Sequence, residues 1–184
     1  MADLAVKLPT LPAGDLGLIR VAAVMLLMVF AIKGALVPLQ FWLPGTYANA
    51  PGVVAALFAV MTKIGAYAVL RFGTLIFSGD LAATGNLYAD ILLPAALVTL
   101  VVGAIGVLGA TTLPRLAAFA AVASMGTVFV AIAGFTPATT SAALYYILHS
   151  TLAGAALFLV TDMVVRRHDT GALTAPPTGA FGGP

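Results

Sequence analysis

Three ionisable side chains lie deep inside apolar stretches of this 184-residue chain: Lys33, Lys63 and His149. At 1.5 Å per helical residue, Lys33 lies about 20 Å from Arg20, and Lys63 and His149 each lie about 16 Å into their own stretch. All three therefore share one depth. Ionisable residues inside a membrane usually face a bundle interior or a water-filled cavity and mark ion paths. The alternative is structural: a cation bonded to backbone carbonyls, or a neutral histidine that donates one hydrogen bond.

Two hydroxyl side chains fall at a similar depth, Ser124 and Thr99. A hydroxyl both donates and accepts hydrogen bonds, so it can connect ionisable groups to one another. The middle of the predicted bundle can therefore hold a row of proton-exchanging and hydrogen-bonding groups.

A proline follows the first lysine within the stretch FAIKGALVPLQFWLPG. Pro38 has no N–H to bond the carbonyl of Gly34, and its ring clashes with that same carbonyl. We therefore expect the helix to kink or open between Gly34 and Pro38, next to Lys33. In membrane proteins such non-helical backbone is tolerated where it faces a cavity, as in the discontinuous helices of transporters.

The composition is that of an integral membrane protein. Hydrophobic residues make up 62% of the chain and charged residues 8%, with a mean hydropathy of +1.13, whereas soluble domains are about 25% charged. There is no cysteine, so disulfides and thiolate metal sites are excluded. A formal net charge of +2 is too small to indicate nucleic-acid binding. No nucleotide-binding loop is present, and we expect no cofactor and no metal site.

We predict an all-α, polytopic membrane helix bundle, because a spanning helix needs about 20 mostly apolar residues. Five transmembrane helices are expected, with the first discontinuous and a similar break possible around His149 in the fifth. Residues 1–15 are predicted to form a loop and residues 167–184 a disordered tail rich in Gly, Pro and Thr. The predicted spans are approximately residues 16–43, 52–77, 90–111, 114–135 and 138–166.

Small residues are dense in the third and fourth predicted spans, where they predict close helix packing in lipid. They are Gly103, Gly106 and Gly109 in the third span, and Ala117, Ala118, Ala120, Ala121 and Ala123 in the fourth.

No carboxylate lies at mid-depth in any of the five predicted spans. Asp80 and Asp90 fall in a loop and at a helix start, and Asp162 falls near a helix end. Because Asp162 is four residues before Arg166, we expect the two to form an ion pair on one helix face. A counter-charge for Lys33 is therefore missing from these spans.

The residues from Phe30 to Phe72 resemble the paired seventh and eighth helices of the antiporter-like membrane subunits shared by Mrp-type cation/proton antiporters and respiratory complex I. Lys33 stands in the context K-x-x-x-x-P-L-x-x-W-L-P, and Lys63 in the context T-K-x-G-x-Y-A-x-x-R. Downstream, GVLGATTLPRLAAFAAVASMGTVFVAIAG resembles the ninth-to-tenth helix region and LYYILHSTLAGAALFLVTDMVVRR the broken eleventh helix. The ending LFLVTDMVVRR and the earlier F-W-L-P-x-x-Y resemble the D-type Mrp subunits more than complex I.

The resemblance implies a transporter subunit rather than an enzyme, in a multisubunit complex of the bacterial inner membrane that exchanges Na⁺ for protons. Lys33 would be the lysine whose protonation responds to a glutamate, and Lys63 the next proton carrier. His149 and Ser124 would continue the path. The implied partners are other antiporter subunits, the lipid bilayer, protons and Na⁺.

The match departs from the family at several positions. Complex I relatives often have His where this chain has Gln40 and Ser124, and some relatives have a second basic residue where this chain has Gly154. Family members usually have about fourteen spans, so we expect a partial subunit covering the seventh to eleventh helices, without the glutamate partner of Lys33.

Two alternatives remain open at this point. The chain could belong to a proton-pumping subunit of complex I or a related hydrogenase, which shares the lysines. It could also be a membrane-embedded structural fragment that transports nothing.

Overall fold

The computed structural model describes residue 7 and residues 16–75 and 87–174. The described residues form helices and short connections, without a β-strand among them. The helices are α1 (Leu16–Lys33), α2 (Trp42–Asn49), α3 (Gly52–Leu75), α4 (Leu87–Leu108), α5 (Leu113–Ala133) and α6 (Pro137–Thr174). Apart from Lys7, the predicted loop at residues 1–15 lies outside the described part of the chain.

The break predicted in the first span is confirmed. Helix α1 ends at Lys33, and α2 begins at Trp42 after an irregular segment of residues 34–41 that contains Pro38. At the exit from α1, the Leu36 N–H donates to the Ala31 carbonyl at 2.9 Å, one residue farther back than in a regular α-helix. Ala35 has a positive φ of 53°, a left-handed conformation that is incompatible with continuation of the α-helix.

Four of the described helices are long and apolar enough to cross a membrane, and they correspond to the second to fifth predicted spans. These segments are Gly52–Leu75, Asp90–Leu108, Leu113–Ala133 and Pro137–His168. Helix α1, with 18 residues, is about 27 Å long, and α2 overlaps the first predicted span, residues 16–43, only at Trp42 and Leu43. The all-α membrane bundle is thus the observed architecture.

The second break, suggested around His149, is wrong. Helix α6 runs without interruption through His149 for 38 residues. The hydroxyls of Ser150 and Thr151 donate to the carbonyl of Ile147 within the same helix, at 3.4 and 2.6 Å. No proline lies in this part of the helix to remove a backbone donor. Helix α6 also extends beyond the expected end at Arg166, while residues 175–184 of the predicted tail are not described.

Helix α5 lies at the centre of the bundle and packs against α2, α3, α4 and α6. Its closest neighbour is α4, and glycines on both helices form the contact. A Cβ at Gly126 would lie 2.5 Å from the backbone nitrogen of Leu100, and a Cβ at Gly103 would overlap the backbone of Ala123. The prediction that small residues allow close packing is therefore confirmed for these two helices.

The buried apolar residues form two groups on either side of the helix break. One group joins α1, α3, α4 and α5 around Leu92, Met125 and Phe129. The other joins α2, α3, α5 and α6 around Leu43, Tyr47 and Phe158. The second group surrounds the part of the bundle in which the buried lysine lies.

We predict that Gly126→Ala lowers the thermal stability of the purified chain, because the added Cβ meets the α4 backbone rather than a flexible side chain. Overpacking of this kind costs about 1–3 kcal/mol. Gly17→Ala is the matched control, since a Cβ at this helical glycine meets nothing within 4 Å. Thermal unfolding in detergent measures both variants, and an unchanged melting temperature for Gly126→Ala would contradict the tight α4–α5 contact.

Candidate functional site

A pocket of about 190 Å³ lies between α3, α5 and α6. Three residues of the predicted path line it: Lys63 from α3, Ser124 from α5 and His149 from α6. Small residues, mostly alanines, form much of the remaining wall: Ala59, Ala117, Ala120, Ala121, Ala153 and Gly154. Small side chains leave space between the helices, and the polar groups project into that space.

Lys63 is the buried cationic side chain of the pocket. It is 6% exposed, and its Nζ donates a hydrogen bond to the Ser124 Oγ at 2.7 Å. Among the described residues, no carboxylate forms an ion pair with it. A charged amine has three N–H groups to satisfy, and burial of an unpaired charge is costly. The pocket has a few polar side chains in a largely apolar lining and room for several water molecules, which are the partners a protonated Lys63 needs.

His149 lies on the α6 side of the same pocket. Its side chain is exposed, and its ring lies 6.4 Å from the ring of Tyr146, centroid to centroid. The structure gives it no hydrogen bond within the described chain, so the interpretation of His149 as a buried, satisfied donor does not fit. Next to it, Gly154 lines the pocket, and a Cβ there would meet nothing within 4 Å. This glycine keeps the α6 wall open.

Lys33 does not line this pocket. It is the last residue of α1, its side chain is exposed, and its stem lies against α3 at Gly65, where an added Cβ would lie 3.3 Å from the Cβ and Cγ of Lys33. Gly65 is two residues after Lys63, so the two lysines lie at closely similar heights along α3. Within the described residues, Lys33 has neither a hydrogen bond nor an ion pair.

Side chains from neighbouring elements satisfy the backbone of the helix break. The Thr99 hydroxyl of α4, fully buried, accepts a hydrogen bond from the Val37 N–H at 2.9 Å and donates one to the Ala95 carbonyl at 2.6 Å. The Trp42 indole N–H donates to the Ile32 carbonyl at 3.0 Å. The sequence places Thr99 at the depth of the ionisable residues, but only the fold shows that its hydroxyl binds the backbone of the helix break.

The two residues assigned to the break, Gly34 and Pro38, have different functions in it. Pro38 cannot donate a backbone hydrogen bond, which prevents a regular helix through this segment. Gly34 allows close contact, since a Cβ there would lie 2.6 Å from the Phe129 ring of α5. The open segment is thus held against α5, the helix that also carries Ser124.

Sequence reasoning missed two polar side chains near the site. Thr62 precedes Lys63 and lines the pocket, and its hydroxyl donates to the Ala59 carbonyl at 3.0 Å. Tyr47 of α2 is 1% exposed, and its hydroxyl has no hydrogen bond of good geometry within the described chain. Tyr47 was visible in the F-W-L-P-x-x-Y motif, but nothing in the sequence indicates that its hydroxyl is buried.

The family profile described as "NADH:quinone oxidoreductase/Mrp antiporter, TM" matches residues 14–176 of this chain. The chain belongs to this family. Together with the four membrane-spanning helices, membership of the NADH:quinone oxidoreductase/Mrp antiporter family makes it a multi-pass membrane protein. The resemblance inferred from the Lys33 and Lys63 motifs is confirmed.

Several curated members of the family are similar over nearly the whole chain. The D-type subunit of the Na(+)/H(+) antiporter of Bacillus subtilis is 38% identical over 174 residues, covering 94% of this chain and 34% of that protein. The D-type subunit of a probable K(+)/H(+) antiporter of Rhizobium meliloti is 36% identical, covering 94% of this chain and 32% of that protein. The chain thus spans about a third of the length of these curated relatives.

A solved structure also matches. A chain in the structure of the Mrp complex from Dietzia sp. DQ12-45-1b has a TM-score of 0.70 and 33% sequence identity, covering 76% of this chain and 25% of that one. The similarity therefore extends from the sequence motifs to the arrangement of the helices.

We predict that Ser124→Ala destabilises the fold by about 1–3 kcal/mol, because it removes the hydrogen-bond partner of a buried amine. Adding Lys63→Met should recover most of the loss, since the unsatisfied donor is then gone. Thermal unfolding of the single and double variants measures this coupling. Ser141→Ala, which alters an exposed serine bonded within its own helix, is the control. Equal effects of Ser124→Ala and Ser141→Ala would contradict a stabilising Lys63–Ser124 bond.

Proposed function

We propose that this chain forms part of the D-type subunit of a multisubunit monovalent cation/proton antiporter in a bacterial inner membrane. Its role is to carry protons through the middle of the membrane in exchange for Na⁺ or K⁺. The observation that carries the proposal is the buried Lys63 amine, bonded to Ser124 and facing a pocket that His149 also lines.

Lys63 is the central proton carrier of this path. Its amine donates one hydrogen bond to Ser124 and faces the pocket with its remaining N–H groups, so it can give a proton to, and take one from, water there. His149 lies across the same pocket and exchanges protons with that water, since an imidazole can both donate and accept a proton. Ser124 orients the Lys63 amine and can relay a proton through its hydroxyl.

Lys33 has a different role, as a switch. Its position at the end of α1, beside an open segment, leaves the amine able to meet a carboxylate from another part of the complex. A carboxylate near a lysine stabilises the protonated amine, and its withdrawal favours proton release. Because the Lys33 stem lies against α3 at nearly the height of Lys63, a change in its charge acts on Lys63 across a short distance.

The second candidate is a proton-pumping subunit of complex I or a related hydrogenase, because the family includes both complex I and antiporter members. The names of the relatives favour the antiporter, since the two that match over 94% of this chain are both named as antiporter subunits of the D type. Neighbouring genes distinguish the two candidates: small Mrp subunits indicate an antiporter, and iron–sulfur or quinone-site subunits indicate complex I. The third candidate is a structural fragment that moves no ions.

We predict that Lys63→Ala and Lys33→Ala each lower cation/proton exchange by on the order of a hundredfold, the contribution of a well-placed proton-transfer group. The chain is expressed with its companion subunits in an antiporter-deficient bacterium, and Na⁺- and K⁺-dependent dissipation of a pH gradient is measured in everted membrane vesicles. Lys7→Ala is the matched control, because Lys7 is exposed and precedes the first span. Wild-type exchange by both variants would refute the transport role and leave the structural fragment.

The chain alone should not exchange ions. Within its described residues no carboxylate pairs with Lys33, so the charge switch is incomplete without the other parts of the complex. Reconstitution of the purified chain in liposomes with a pH-sensitive dye tests this. Robust Na⁺/H⁺ or K⁺/H⁺ exchange by the purified chain would show that Lys33 needs no external partner.

A further inference from the structure

The Tyr47 hydroxyl is a buried polar group that packing alone does not explain. Tyr47 is 1% exposed, and its hydroxyl lies near the side chain of Thr62 but has no hydrogen-bond partner within the described chain. Burying a hydroxyl without a partner is unfavourable, so most native proteins avoid it. A phenylalanine would fill the same space without this cost.

A second pocket begins where Tyr47 lies. It has a volume of about 280 Å³ and is lined by Tyr47, Thr161, Asp162 and Arg166, together with the connection between α2 and α3. Asp162 and Arg166 form the expected ion pair at 2.8 Å, and the Arg166 side chain is 70% exposed. This pocket therefore reaches the surface at the end of the bundle where α3 begins.

One aromatic ring separates the second pocket from the pocket around Lys63. Phe158 of α6 lines both pockets, is 3% exposed, and makes an edge contact with the Tyr47 ring at 5.5 Å between centroids. Beside this ring, Thr62 faces the Lys63 pocket and Tyr47 faces the second pocket. A hydroxyl-bearing residue therefore lines the pocket on each side of Phe158.

We propose that the hydroxyls of Tyr47 and Thr62 form the proton connection between the Lys63 pocket and the surface pocket at Asp162. Each hydroxyl accepts a proton on one side and releases its own proton on the other, so both are neutral before and after a transfer. Water in the two pockets completes the connection to Lys63 and to Asp162. The proposal rests on the proposed function, because it supplies a route to the surface for the protons that Lys63 carries.

The competing explanation is that Tyr47 serves only as a packing residue. Its ring stacks on Phe58 at 6.0 Å and contacts Trp42 at 6.2 Å, besides its contact with Phe158. Tyr47→Phe keeps all of these ring contacts and removes only the hydroxyl. Because that hydroxyl has no good hydrogen bond to lose, the variant should be as stable as the wild type or more stable. Tyr47→Phe is therefore expected to slow transport without lowering the thermal stability.

The test uses the complete complex in everted vesicles. We expect Tyr47→Phe and Thr62→Val to slow cation/proton exchange by on the order of tenfold or more, at an unchanged or higher melting temperature. Thr62→Ser keeps a hydroxyl and should retain exchange. Tyr145→Phe is the matched control, because Tyr145 is an exposed tyrosine of α6.

The outcomes distinguish this proposal from the one on which it rests. If the unmodified complex exchanges ions and Tyr47→Phe exchanges them at the same rate, the connection through Tyr47 is refuted and the antiporter function stands. A loss of exchange that matches a loss of thermal stability would identify Tyr47 as a packing residue. If the unmodified complex exchanges no ions, the proposed function fails, and the proton connection fails with it.

Discussion

Every backbone polar group in the hydrocarbon interior must find a hydrogen-bond partner inside the protein, and this constraint governs the whole bundle. It is most severe at residues 34–41, where the helix ends and backbone groups lose their regular helical hydrogen bonds. The chain meets it with side chains from two directions. Thr99 of α4 accepts from the Val37 N–H, and Trp42 caps the Ile32 carbonyl from the far side of the break. The open segment can exist because α4 and α5 are close enough to enclose it.

The same constraint explains why mostly small apolar residues line the pocket around Lys63. Alanines and Gly154 contribute no polar groups of their own, so space between the helices is made without new unsatisfied donors. The few polar side chains then face a common volume that water can occupy. A site of this kind must meet two opposing requirements. The surrounding helices must pack tightly, and the space between them must stay large enough to hold water.

The sequence predicts those features of the fold and of the site that depend on one helix alone, and it does not predict those that depend on how the helices pack together. Hydropathy gave the spans, and Pro38 gave the break beside Lys33, because both act along one helix. Residue counting also brought Lys63, Ser124 and His149 to a common depth. The depth of a residue does not indicate which way its side chain faces around the helix axis. The sequence therefore did not predict that Lys33 lies outside the pocket or that the hydroxyl of Tyr47 is buried. The break suggested in α6 failed because Ser150 and Thr151 bond to their own helix and leave its backbone ladder intact.

Two helices that line the Lys63 pocket, α3 and α6, meet at the start of α3. Gly52 is the first residue of that helix, and a Cβ there would overlap the Cβ of Asp162 on α6. The two helices touch at this point, which lies about 16 Å along α3 from Lys63. Gly52 does not line the Lys63 pocket, but a side chain there would push α3 and α6 apart at this end, so a substitution outside the pocket is expected to change how well the pocket is hydrated.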